Sequence, residues 1–198
     1  MFKLEENFEE IIDILRIEQA VSFPLLREPE RKQLLREVMA LDYKSGPEYV
    51  GTHKVLQQIT FSEIYIDSTS GIALYARKFS DKIKFLAKRY RFDLFRPMFG
   101  FNEFMVNKYE KGSVGITPHR DNSYFKNLIA LIVLDGSGDF YICDDRDRKN
   151  SRLKKAVPGS CILMVAPGFL NQSIQPMHYL TNITEDRYVL CLRQKIEK

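Results

Sequence analysis

Cysteine and histidine are both scarce in this sequence, with three of each in 198 residues. Cys143, Cys161 and Cys191 lie far apart and form no CxxC pair. That argues against a disulfide framework or a thiolate zinc site. It predicts reduced thiols, buried as small apolar residues, in a cytoplasmic setting. Long apolar runs are also missing, since no stretch approaches the ~18 residues that a membrane helix needs. The first residues, Met1-Phe2-Lys3-Leu4-Glu5-Glu6, are acidic where a secretory leader would be basic and then apolar. No repeat, low-complexity tract or Pro/Gly/Ser linker divides the chain. A single domain over 1–198 is therefore expected, mainly helical over 1–95 and strand-rich over 96–198.

What is present is unevenly distributed. Residues 1–30 carry three basic and eight acidic side chains, net −5 against an overall +4, which leaves +9 on residues 31–198. A basic body suits an anionic partner such as nucleic acid, and equally a plain solvated surface. Leu4, Phe8, Ile11, Ile12 and Leu15 recur at helical spacing. A second helix is expected from Pro29 to Leu41, and a third over 71–90 with Ile72, Tyr75, Phe79, Ile83, Leu86 and Ala87 on one face. Between them Phe61–Ile66 alternates as a strand. Beyond residue 100 short strands and turns take over: 101–109, 128–134, 140–143, 161–165 and 187–193, with a polar loop over 144–155. Leu128–Leu134 is apolar at every position and so belongs at the centre of a sheet. Helices first and strands later give an α+β class. The expected architecture is a double-stranded β-helix (jelly-roll) barrel with the N-terminal helices packed on one outer face.

One histidine stands in His119-Arg120-Asp121, and in a strand residues i and i+2 point to the same side. His178 follows 59 residues later, near the start of what should be a paired strand. Two imidazoles and one carboxylate with open positions suit non-heme iron(II). HxD alone is weak, and a surface histidine beside an aspartate is its ordinary explanation; His53, with no partner motif, is read as that ordinary case. Arg187 and Arg193 are six apart on the last strand and face one side, with Val189 and Cys191 between them. An apolar face bearing two guanidiniums needs an anion, and a dicarboxylate held bidentately would supply it. Asn107 and Tyr109 also share a strand face and offer an amide and a phenol.

Together Asn107-Lys-Tyr109, Gly112, His119-Arg-Asp121, His178 and Arg187-Tyr-Val-Leu-Cys-Leu-Arg193-Gln194 resemble the core motifs of the AlkB-like Fe(II)/2-oxoglutarate-dependent dioxygenases. The likeness covers residues 101–194; the first hundred residues match only in outline. It implies that His119, Asp121 and His178 ligate Fe(II). Arg187 with Tyr109 would hold the distal carboxylate of 2-oxoglutarate, and Arg193 with Asn107 would lie near its metal-bound end. The implied reaction uses O2 and converts 2-oxoglutarate to succinate and CO2 while hydroxylating a substrate C–H. On an N-methyl carbon the product would collapse to formaldehyde and a free amine.

The sequence also departs from the repair members of that family. Ser123 stands where they carry an acidic residue, Val189 stands where an Asn is frequent, and there is no tryptophan to stack on a flipped base. Tyr43, Tyr49, Phe61 and Tyr65 are the aromatic candidates for that stacking, with core packing as the alternative. N-dealkylation of nucleic acid, with the six basic residues of the 144–155 loop contacting phosphates, therefore stands beside three rivals. Two are hydroxylation of a small molecule and oxidation of a protein substrate; the third is a non-catalytic iron/2-oxoglutarate sensor.

Overall fold

The computed structural model describes residues 4–51, 54–64 and 69–196. Helix α1 (Phe8–Glu18) buries Phe8, Ile11, Ile12 and Leu15, one helical face, and stops where Gln19 turns left-handed at φ 64°. β1 (Ala20–Pro24) follows directly. α2 (Glu28–Met39) carries Pro29 in its first turn, where a missing N–H costs nothing, and buries Leu34 and Val38. Short strands β2 (Lys44–Ser45), β3 (Tyr49–Val50) and β4 (Val55–Leu56) precede β5 (Thr60–Ile64). α3 (Gly71–Arg89) is capped by the Ser70 hydroxyl, which accepts the Ala73 N–H at 3.2 Å. The chain then becomes strands: β6 (Glu103–Tyr109), β7 (Ile116–His119), β8 (Phe125–Asp135), β9 (Asp139–Cys143), β10 (Arg152–Lys154), β11 (Ser160–Val165), β12 (Met177–Thr181) and β13 (Arg187–Lys195).

Seven strands form one sheet in the order β1-β11-β8-β13-β6-β5-β2, and four form a second, β10-β9-β12-β7. β3 and β4 pair as a small hairpin. The two sheets close on each other as a jelly roll. Their shared interior is built from Ile129, Val133, Ile162, Met164, Val189 and Cys191 of the larger sheet, facing Phe140, Ile142 and Leu180 of the smaller.

The period of two along a strand decides which side chains enter that interior. In β13, Val189 and Cys191 point inward, while Leu190 and Leu192 join a separate cluster with Ile12, Val38, Phe79 and Leu86 from the three helices. β8 divides in the same way: Leu128, Ala130, Ile132 and Leu134 meet the helix side, and Ile129 and Val133 the interior. This double cover explains why Leu128–Leu134 is apolar throughout. A one-residue slip of β13 would exchange its two faces, so burial on both sides pins its register. Arg187 and Arg193 share the parity of Val189 and Cys191, and both line the interior cavity.

Several expectations need correction. β1 was not expected, because five residues ending in Pro24 carry too little periodicity to stand out; it forms an edge strand, where proline is tolerated. With β2 and β5 it joins the larger sheet, so the first third is not only helical. The polar loop after β9 contains β10, paired with β9 from Arg152↔Ile142 to Lys154↔Phe140. The strand expected over 61–66 is β5, and Tyr65, Ile66 and His53 lie outside the described residues. Among the described residues no helix is long and apolar enough to cross a membrane.

Candidate metal and dicarboxylate site

β7 and β12 pair antiparallel with His178 directly opposite His119, which sets the two rings 4.3 Å apart between centroids. Asp121 was expected on the same strand as His119, and it is not. β7 ends at His119, and Asp121 follows in the connection to β8. It nevertheless turns back, with Oδ2 3.7 Å from Nε2 of His178. One ligand atom from each of His119, Asp121 and His178 falls within 4.8 Å of the others.

The protonation states suit a cation. Nδ1 of His119 lies 2.9 Å from the Thr117 carbonyl, and Nδ1 of His178 lies 3.4 Å from that of Pro176. A proton on Nδ1 serves those carbonyls and leaves the Nε2 lone pair for a metal. Burial, with His119 adjacent, pushes the His178 pKa down to about 4, and burial lowers that of His119 as well. Burial opposes ionisation of Asp121, but the charge of Arg193, joined in acid by the protonated histidines, outweighs it and holds the carboxyl below its ordinary range. Two neutral imidazoles and a carboxylate therefore face one point near neutral pH.

Further along the same interior, β6 and β13 pair with Arg187 opposite Tyr109 and Val189 opposite Asn107. Arg187 is 1% exposed, yet among the described residues its one hydrogen bond runs from Nη1 to the Ala156 carbonyl at 3.0 Å, and its Nε has no partner. Among the described residues no carboxylate pairs with it. Burial depresses its pKa to about 10, so it stays a cation at neutral pH. Arg193 lies nearer the triad, its Nη2 3.7 Å from Asp121 Oδ1 and its Nη1 3.5 Å from Glu103 Oε1. The Asn107 amide oxygen and the Arg193 Nε are likewise buried without partners. The two orphaned guanidinium N–H groups, Nε of Arg187 and Nε of Arg193, fit a bound dicarboxylate, because buried donors without acceptors are otherwise costly.

All seven residues line one cavity of about 1610 Å³. That exceeds the ~300–1,000 Å³ of a typical ligand pocket and leaves room for two small molecules. Residues not singled out from the sequence complete its wall: Val50, Val55 and Gln57 of the hairpin region, Arg120, Tyr124 and Glu103. Glu103 was legible in principle, because it shares the strand parity of Asn107 and Tyr109. Of the aromatic candidates, Phe61 lines the cavity. Tyr43 is packed edge-on against Tyr188 and bonds the Val38 carbonyl, while Tyr49 is 54% exposed and off the wall. The three cysteines are buried and unpaired.

No family model matches the sequence, and no curated protein matches it either. Solved structures do match. A prolyl hydroxylase from Trichoplax adhaerens, in complex with a hypoxia inducible factor peptide, aligns over 98% of this chain and 90% of its own, with a TM-score of 0.70 at 14% identity. HygX from Streptomyces hygroscopicus, with nickel and 2-oxoglutarate bound, aligns over 93% and 85%, with a TM-score of 0.65 at 15% identity. The fold is that of the 2-oxoglutarate/iron(II) oxygenases. OsALKBH1 aligns over 89% and 98%, with a TM-score of 0.63, also at 15% identity. Likeness at this level spans proteins named for different substrates and does not single out the AlkB-like group.

Proposed function

We propose that this chain is an iron(II)- and 2-oxoglutarate-dependent dioxygenase that oxidises a C–H bond of an organic substrate. The observation that carries this reading is the conjunction, in one cavity, of a His119–Asp121–His178 triad with a buried guanidinium, Arg187, that forms no ion pair among the described residues. In this reading the triad holds the iron. Arg187 and the Tyr109 hydroxyl hold the distal carboxylate of 2-oxoglutarate, and Arg193 and Asn107 lie beside its metal-bound end. Iron bound there would supply oxygen activation coupled to conversion of 2-oxoglutarate to succinate and CO2. The protein itself presents two neutral imidazoles, holds a carboxylate ionised beside Arg193, and walls the co-substrate with Phe140, Leu180 and Val189 against water. The N-terminal helices serve as an outer cover that stiffens the sheet carrying both arginines. The Asn107-Lys-Tyr109 and Arg187…Arg193 pattern supports placing the chain near the AlkB-like group.

Nucleic acid is the weaker of the substrate readings. Of the six basic residues in the 144–155 loop, only Arg146 lines the cavity. Lys154 is buried against Glu18, Arg152 lies 3.6 Å from Asp144, and Arg148 covers the Tyr179 ring at 4.8 Å. Ser123 is exposed and off the cavity wall. A compact substrate suits this distribution of charge better. The sensor alternative is separated by turnover: succinate formed from 2-oxoglutarate in the presence of Fe(II) and O2 supports the enzyme. Binding of 2-oxoglutarate without consumption, across a library of small molecules and methylated oligonucleotides, would leave the sensor.

A further inference from the structure

Two guanidiniums flank the metal-facing end of the β7–β12 ladder without serving the triad or the dicarboxylate. Arg120 follows His119 directly and donates from Nε to the Gln175 carbonyl at 3.0 Å. Arg146, in the loop after β9, donates from Nη1 to the Pro118 carbonyl at 3.2 Å. The acceptors stand beside the ligands, since Pro118 precedes His119 and Gln175 lies three residues before His178. Each arginine is thus tethered by one backbone bond, with most of its N–H donors left over. Both side chains line the cavity and both residues are exposed at its mouth.

Among the described residues neither guanidinium forms an ion pair. Two acidic side chains of the same loop are engaged elsewhere. Asp144 meets Arg152 and accepts from the Asn150 amide at 2.7 Å. Asp145 folds into its own loop, accepting the N–H groups of Asp147 and Lys149 at 3.0 Å each. Two pre-positioned, uncompensated guanidiniums at one mouth form a fork for an oxyanion, the geometry arginine serves best. The other cations of that loop are tied up or off the cavity, so the loop itself extends no track from the mouth for a polyanion.

Resting on the proposed metal and co-substrate sites, we propose that Arg120 and Arg146 clamp a single phosphate or carboxylate group of a compact anionic substrate and so hold its oxidisable C–H over the triad. Arg193 stays with Asp121 and Glu103, and Arg187 with the co-substrate, so the two clamps act on different molecules.

The test uses the full chain loaded with Mn(II) and saturating 2-oxoglutarate under NMR. Paramagnetic broadening then reports three bound species separately: water protons for the metal, the 2-oxoglutarate methylenes for the co-substrate, and the phosphorus of inorganic phosphate for the clamp. The wild type should broaden phosphate, and Arg120→Gln/Arg146→Gln should weaken that binding about tenfold or more, the loss expected of one charge-assisted contact or more. The lysine pair, Arg120→Lys/Arg146→Lys, should recover part of it. Acetate, read through its methyl signal, shows whether the clamp prefers a carboxylate. If water and 2-oxoglutarate respond while neither phosphate nor acetate does, the clamp is refuted and the oxygenase reading stands. Unchanged phosphate binding in the glutamine pair refutes it as well. A single-stranded oligonucleotide that displaces phosphate with steep salt dependence overturns the compact substrate in favour of a polyanion. If water itself does not respond, the metal site fails and the clamp falls with it.

Discussion

Replacing Arg187 by methionine separates a functional cation from a structural one. The side chain is 1% exposed, and burial moves its pKa from 12.5 to about 10. A depressed cation pKa means that the folded state disfavours the charge. At neutral pH, well below both values, that penalty is fully present and on the order of 3 kcal/mol. Methionine removes it at similar length but strands the Ala156 carbonyl, which costs ~1–3 kcal/mol. The two effects nearly offset. The ligand-free protein should therefore keep its stability or gain up to ~2 kcal/mol, a rise in Tm of no more than about 8 °C. Binding of 2-oxoglutarate should behave differently, because truncating one partner of a buried charge pair costs ~2–5 kcal/mol, or about 30-fold to several thousand-fold in Kd. Calorimetric titration of the Mn(II)-loaded protein with 2-oxoglutarate, alongside a thermal scan without ligand, measures both. Arg187→Lys should restore only part of the affinity, since an ammonium lacks the fork. A variant that melts several degrees lower while binding 2-oxoglutarate as the wild type does would refute the reasoning and make Arg187 a packing residue.

Other expectations follow from the same geometry. Because burial takes the His178 pKa from 6.5 to about 4, the unfolded chain binds the extra proton between those values. Metal-free stability should then fall by about 2 kcal/mol between pH 7 and about pH 5 through this group alone. His178→Asn should flatten that part of the urea-midpoint profile, and an unaltered profile contradicts the assignment. At Gly115 (φ +72°) an added Cβ would sit 2.2 Å from the Leu180 carbonyl oxygen. Gly115→Ala should thus cost about 3 kcal/mol or more and weaken Mn(II) binding by disturbing the β7–β12 pairing; wild-type melting would show that the connection yields freely. Replacing Arg152, Lys154 and Lys155 by alanine removes the half-exposed Lys154–Glu18 pair. The triple variant should lose about 1 kcal/mol, some 2–4 °C in Tm, without changing phosphate binding at the mouth. A changed phosphate affinity would place these cations at the site after all.

Much of the site could be read from the sequence because strand parity is a strong local rule. Arg187, Val189, Cys191 and Arg193 had to share a face, as did Asn107 and Tyr109, and both sets line the cavity. Asp121 was brought to His119 by a reason that does not hold, since it lies beyond the strand and converges through the turn into β8. The helices and central strands were legible from period and apolar content. The short strands β1, β2 and β10 were not, because a few residues carry little pattern and their pairing is decided by partners far away in sequence, Ala20–Pro24 against Ser160–Met164 being the clearest case. The same distance hid the fate of Lys154, whose carboxylate partner is Glu18. Net charge along a loop could not reveal that several of its cations, Arg148, Arg152 and Lys154 among them, were already engaged.

The central claim is tested most directly by following succinate formation from 2-oxoglutarate by NMR with Fe(II) and O2, in the wild type and in His119→Ala, Asp121→Ala and His178→Ala. The account predicts iron-dependent succinate from the wild type, even slowly and without a primary substrate, and none above the protein-free rate from the three variants. Succinate formed equally well by the variants, or by the wild type without iron, would contradict it.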